Sequence, residues 1–198
     1  MDLSSLYSSP VSNDYSETSS AARFAEVIPE GFKGSVLDYG CGTGRLYRWL
    51  HDNRKPTDYF GVDIRASVIE QARYENPRAD FHTAEEFWFV SKLWEHGSIW
   101  REYATFDLVV LIGTISYAFG ENVDECKRRY LELLRDLKEY VHSGGEMRIT
   151  LRCNGFETSA DGKPMITFLR EEALEWCEQV GETKISEFGD REWVVTIR

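Results

Sequence analysis

Three glycines two residues apart, Gly40, Gly42 and Gly44, stand between the apolar segment Val36-Leu37-Asp38-Tyr39 and a helix-forming stretch that opens at Arg45. A chain so built turns sharply from strand to helix, and the missing side chains let a ligand approach the main chain of the turn. The same alternation repeats along the chain. Ser35 to Tyr39, Tyr59 to Asp63, Ala79 to His82, Phe106 to Ile112, Glu146 to Arg152, Lys184 to Phe188 and Trp193 to Ile197 read as strands. Glu17 to Ile28, Arg45 to Asn53, Ala66 to Tyr74, Asn122 to Val141 and Leu169 to Val180 read as helices, with a further helical region from Glu85 to Tyr103. Gly144 and Gly145 read as the stop of the Asn122 helix, and Cys153 to Pro164 as a loop.

Strand-helix repetition of this kind predicts an α/β fold: a doubly wound, mostly parallel seven-stranded sheet with an antiparallel C-terminal strand and helices on both faces. The last two strands are joined by so short a turn, at Gly189 and Asp190, that they pair antiparallel. A ligand crevice is expected at the carboxyl ends of the strands, where the glycine turn lies. Residues 1–16 are serine-rich and lack either period, so they are expected to form a mobile arm before a single domain over 17–198.

Composition narrows the function classes. Of 198 residues, 23 are Lys or Arg and 34 are Asp or Glu, a net charge of -11 that repels phosphate backbones at long range and disfavours nucleic acid as partner. Cys41, Cys126, Cys153 and Cys177 form no C-x-x-C pair, and His51, His82, His96 and His142 show no H-x-x-x-H spacing, so no metal site is expected. Neither a charged apolar leader nor a membrane-length apolar run is present, and a cytoplasmic location is the simplest expectation.

The glycine turn admits two readings that differ in spacing. A dinucleotide fingerprint, G-x-G-x-x-G/A, needs Gly or Ala at 45, and this chain has Arg45. An acidic residue two positions before G-x-G-x-G, here Asp38-Tyr39-Gly40-Cys41-Gly42-Thr43-Gly44, resembles the first motif of class I (Rossmann-like) S-adenosylmethionine-dependent methyltransferases. The resemblance runs from Ser35 to the C-terminus and implies S-adenosyl-L-methionine as cofactor. The amino-acid end of that molecule carries a carboxylate, suited to exposed amides at the start of the Arg45 helix, and an ammonium, suited to Asp38. Asp63 ends the next strand and is placed by the resemblance on the ribose hydroxyls, the alternative being a cap on the Ala66 helix. Ile64 is then expected on the adenine face. After the third strand the family's acidic or amide residue is replaced in His82-Thr83-Ala84-Glu85, leaving main-chain groups at Ala84 and the Glu85 side chain as adenine contacts; first-turn helix charge is the other reading of Glu85.

The segment from Phe106 to Tyr117 resembles the family's fourth strand and active-site loop, which puts Ile112 and Gly113 beside the cofactor and makes Ser116 and Tyr117 candidate polar contacts to an acceptor. Tyr117 is as readily a packing residue. Methyl transfer is an in-line displacement that alignment and desolvation can accelerate without an obligatory base. The chain has neither the Asn/Asp-Pro-Pro-aromatic sequence of amino-methylating DNA enzymes nor the Pro-Cys of cytosine-C5 enzymes. The aromatic stretch Phe87, Trp88, Phe89, Trp94, Trp100 and Tyr103 reads first as core and second as an acceptor pocket. Similar enzymes fold an N-terminal segment over the cofactor, so the arm with Tyr7 and Tyr15 is expected to act as a lid. The expected activity is methyl transfer to a small-molecule acceptor. The competing expectations are a macromolecular acceptor (RNA or protein), a non-catalytic S-adenosylmethionine-binding protein, and a nicotinamide-dependent oxidoreductase.

Overall fold

A computed structural model describes residues 18–53, 55, 57–87, 105–115, 122–153, 165–189 and 191–198. The elements are α1 (Thr18–Val27), β1 (Gly34–Tyr39), α2 (Arg45–Asp52), β2 (Thr57–Asp63), α3 (Ala66–Glu75) and β3 (Asp80–Thr83). They continue with β4 (Phe106–Leu111), α4 (Val123–Lys138), β5 (Val141–Cys153), β6 (Thr167–Phe168), α5 (Arg170–Glu178), β7 (Thr183–Phe188) and β8 (Glu192–Ile197). The expected arm, the candidates Ser116 and Tyr117, the aromatic stretch beyond Phe87 and most of the 153–164 loop lie outside the described residues.

The sheet runs β3-β2-β1-β4-β5-β8-β7, with β6 pairing beside β5. Strands β1 to β5 pair parallel with one another, and β8 is antiparallel to both β5 and β7. The doubly wound α/β architecture is therefore as expected, with one short strand more than the seven read from the sequence.

Alternation along the strands divides the core in two. Leu37, Tyr39, Val109, Leu111, Ile149 and Leu151 face Tyr130, Leu134 and Leu137 of α4 and Ala173 and Trp176 of α5. Val36, Leu108 and Val110 face Phe24 and Val27 of α1, Leu46, Trp49 and Leu50 of α2, and Ile69 and Ala72 of α3. Asp38, two residues beyond Val36, belongs to this second face.

One boundary is corrected. The helix expected over 122–141 ends at Lys138, where Glu139 and Tyr140 turn back on Asp136 and Leu137. Val141 already pairs with Phe106, and the register shifts before Leu108 meets Glu146. Gly144 and Gly145 thus serve an irregularity inside β5 and not a helix stop. A side chain at Gly145 would lie 2.8 Å from the Asp107 carbonyl oxygen, which is why the crowded bend takes glycine there.

Candidate cofactor site

The order of the sheet reverses between β1 and β4, and the glycine turn leaves β1 at that crevice. The amides of Gly40 and Cys41 donate to the carbonyl of Val62 at 2.6 and 2.9 Å, which straps the turn onto the end of β2. All three glycines have left-handed backbones, with φ of 90°, 56° and 80°, but for different neighbours. A side chain at Gly40 would collide with Thr114, whose hydroxyl donates to the Tyr39 carbonyl at 2.9 Å. One at Gly44 would lie 2.6 Å from the ring of Phe81. A Cβ at Gly42 would have no atom of the described residues within 4 Å, and Gly113 across the crevice is equally open. Two glycines therefore close-pack the turn while the third borders free space.

The two carboxylates predicted from the sequence converge on this turn. Asp63 ends β2, is 5% exposed, and accepts the Gly42 amide at 3.1 Å. It also accepts the Arg65 amide at 3.0 Å and the Arg65 guanidinium at 3.1 and 3.3 Å. Its bond to the Arg65 amide orders the residue before α3, so the alternative reading of Asp63 as a helix cap is replaced by a brace between turn and helix entry. Ile64, beside it, is 44% exposed, an apolar side chain left uncovered at the crevice.

Asp38 is buried, and its Oδ2 accepts the Tyr59 hydroxyl at 2.6 Å. Burial pushes its carboxyl up to about 7, with the Asp63 charge adding to the rise while the Tyr59 hydrogen bond and Arg45 oppose it. Oδ1 has no hydrogen-bond partner among the described residues. Cys41 is buried against the turn, its thiol pushed well up by burial and by the charges of Asp38 and Asp63, which leaves it unreactive packing.

Thr43 completes the turn. Its carbonyl accepts from Asn76 and Arg48 at 3.2 and 3.0 Å, whereas its buried hydroxyl has no partner among the described residues. Gly44 starts α2 without a side-chain cap, so the first amides of the helix keep their donor capacity.

The end of β3 is organised differently. Thr83 and Glu86 form a reciprocal cap: the Glu86 carboxylate accepts the Thr83 amide at 2.7 Å, and the Glu86 amide donates to the Thr83 hydroxyl at 3.1 Å. Residues 84–87 are helical; Ala84 is half-buried and Glu85 exposed. On the far side of the crevice, the amide of Gly113 donates to the Thr150 hydroxyl of β5 at 2.8 Å, and Ile112 packs with the α1–α3 face. Thr114 lies in the segment the sequence places at the active site, whereas Tyr59, Thr150 and Asn76 were not among the site residues read from the sequence. Only Thr150, a lone hydroxyl between Ile149 and Leu151, carried a readable signal. A separate hollow of about 530 Å³ lies at the opposite, amino ends of the strands, bounded by Ser35, Thr57, Arg78 and Asp80; of the site residues only Tyr59 reaches its lining, and Asp38, Gly42 and Asp63 do not.

A methyltransferase-domain family profile matches residues 37–145, more than half of the chain. The chain belongs to that family. S-adenosylmethionine is the methyl donor of these class I enzymes. The chain is 26% identical over 122 residues to ribosomal RNA small subunit methyltransferase C of Haemophilus influenzae, covering 62% of this chain and 33% of the relative. The match thus spans about a third of that curated relative's length. Among solved structures, the PH0226 protein of Pyrococcus horikoshii superposes with TM-score 0.62 at 15% identity, over 85% of this chain and 82% of its own. The glycopeptide N-methyltransferase MtfA, complexed with S-adenosylmethionine, gives 0.60 at 15% identity over 95% and 99%. Human N-acetylserotonin methyltransferase, also with S-adenosylmethionine, gives 0.62 at 12% identity over 90% and 51%. Among the described residues, no group of three or more His, Cys, Asp or Glu could hold a metal, and no helix is long and apolar enough to cross a membrane.

Proposed function

We propose that this methyltransferase holds S-adenosylmethionine along the crevice from Asp38 to Gly113 and delivers its methyl group to a small-molecule acceptor. The observation that carries the reading is the convergence of Asp63 on the Gly42 amide beside two positions, 42 and 113, bordered by free space. When bound, the cofactor supplies a methyl group on a sulfonium, already activated for displacement.

The residues fit that molecule. The uncapped amides of α2 suit its carboxylate, and the unpartnered Thr43 hydroxyl lies in the same turn. Asp38 Oδ1 faces its ammonium, with Tyr59 holding the other oxygen. Asp63 accepts the ribose hydroxyls in place of the Arg65 contact at 3.3 Å, the longest of its four. Ile64 covers one face of adenine, and Ala84 and Glu85 border its edge. Cys41, Gly40 and Gly44 shape the turn, and Ile112 and Gly113 wall the methyl side. Ser116 and Tyr117 are retained as acceptor contacts, with no base assigned.

A small acceptor is supported by the net charge of -11, which opposes a polyanionic partner. Neighbours named for N-acetylserotonin and glycopeptide transfer act on compact acceptors. A second reading, transfer to RNA, is favoured by the ribosomal RNA methyltransferase match. Incubating the full chain with methyl-labelled cofactor and separate metabolite, RNA and protein pools separates the two. Label is expected in the metabolite pool; label confined to RNA or protein would refute the small-molecule half.

A further inference from the structure

Arg152 lies near the carboxyl end of β5, two residues beyond Thr150, which accepts the Gly113 amide at the crevice. Side chains two apart share a strand face, so the Arg152 side chain starts about 7 Å further out on the face that bears Asp38 on β1. Because the strand order is β2-β1-β4-β5, this is the side of the crevice away from Asp63.

Among the described residues, no carboxylate pairs with it. The residue opposite in the antiparallel pair with β8 is Glu192, the natural partner by register. Both Glu192 oxygens are already taken by the Arg23 fork from α1, at 2.6 and 2.9 Å. Arg148, on the same face, is satisfied by Glu146 and by the carbonyl of Val27. Arg152 Nε is buried and has no acceptor among the described residues. A guanidinium keeps its charge at any relevant pH, and a buried donor without an acceptor is costly, so folded proteins retain one chiefly where something else completes it.

We propose that Arg152 binds an anionic oxygen group, a carboxylate or a phosphate, on the methyl acceptor. The assignment rests on the cofactor occupying the β1–β2 side, which leaves the β4–β5 side to the acceptor. Nε and the adjacent terminal nitrogen form an edge that takes two oxygens of one such group. The setting suits a single anion: Glu187 and Glu192 lie close enough to raise the Cys153 thiol, after the larger effect of burial, and a polyanion would be repelled.

The test uses the full chain saturated with S-adenosylhomocysteine and follows the Arg152 Nε–H signal by nitrogen-15 NMR, assigned by its loss in Arg152→Lys. Sodium benzoate and inorganic phosphate are titrated separately against sodium chloride of equal ionic strength. Saturable displacement of that signal by one anion, at least about tenfold stronger than by chloride, is expected, and the responding anion identifies the group. No displacement by either overturns the proposal, as does a short RNA oligonucleotide displacing the signal at concentrations where phosphate does not. Arg152→Met supplies a second readout. A ligand-binding role predicts a melting temperature equal to or above that of the parent and cofactor affinity within about twofold, whereas a structural role predicts a lower melting temperature. Calorimetry of S-adenosylhomocysteine on the same sample keeps the failures apart. Cofactor binding without an anion response refutes the Arg152 assignment alone, and an anion response without cofactor binding refutes the cofactor reading.

Discussion

The two sides of the crevice are built from different materials. On the β1–β2 side the groups proposed to hold the cofactor are main-chain amides of one tight turn and two carboxylates at strand ends, all within residues 38–63. On the β4–β5 side the group proposed to meet the acceptor is one side chain, Arg152, while the Thr114 and Thr150 hydroxyls brace the main chain of Tyr39 and Gly113. The first arrangement suits a ligand that never changes, because a turn fixed by glycine conformation and close packing has little freedom to vary. The second suits an acceptor that differs from one enzyme to the next, since exchanging one strand residue leaves the backbone untouched.

The contrast breaks first at the glycines. Gly44→Ala places a methyl group 2.6 Å from the Phe81 ring on a left-handed backbone and is expected to cost about 3 kcal/mol, roughly 6–12 °C in thermal melting. Equal melting of variant and parent would show that the turn is not close-packed. Next, Asp63→Asn is expected to weaken S-adenosylhomocysteine binding about 10- to 100-fold by calorimetry, since a charged acceptor is lost. An unchanged affinity would remove Asp63 from the cofactor side.

A third effect follows from Asp38, whose carboxyl is pushed up to about 7 mainly by burial. In the free protein it holds its proton at pH values where the unfolded chain has released it. Stability therefore falls as pH rises from about 4 towards 7. Cofactor binding has the opposite slope, because the ammonium needs the ionised form: affinity is expected to fall about tenfold per unit below pH 7. Tyr59→Phe removes the hydrogen bond that favours ionisation and should move the onset to higher pH. Calorimetry at pH 6, 7 and 8 checks both; a flat profile would separate Asp38 from the ammonium. The smallest effect is expected at β3. Thr83→Ala removes half of the reciprocal cap and should cost about 1 kcal/mol in denaturant unfolding while leaving cofactor affinity unchanged. A tenfold loss of affinity would show that the Thr83 cap itself supports the adenine edge that Ala84 and Glu85 border.

What could be read in the sequence follows the same division. The strand-helix alternation, the antiparallel end and the meeting of Asp38, Gly42 and Asp63 were accessible because hydrophobic period and glycine spacing are local signals. The Thr83-x-x-Glu86 spacing is a capping-box signal in the sequence, one that reading the segment only for an adenine contact at Ala84 and Glu85 does not bring out. The β5 bend was not readable: two adjacent glycines after an amphipathic stretch match a helix stop as well as a strand irregularity, and only the pairing of Val141 with Phe106 decides it. Arg152 was hidden for a related reason, since its isolation depends on Arg23, far away in sequence, taking Glu192.

The most direct test of the cofactor assignment is a calorimetric titration of S-adenosylhomocysteine into the parent chain and into Gly42→Asn. Asparagine tolerates the left-handed backbone, and its Cβ would have no atom of the described residues within 4 Å, so the variant should fold. Single-site binding by the parent and its loss, by about 100-fold or more, in the folded variant is the predicted result. Equal affinity of the two proteins would mean that the cofactor does not lie on this turn.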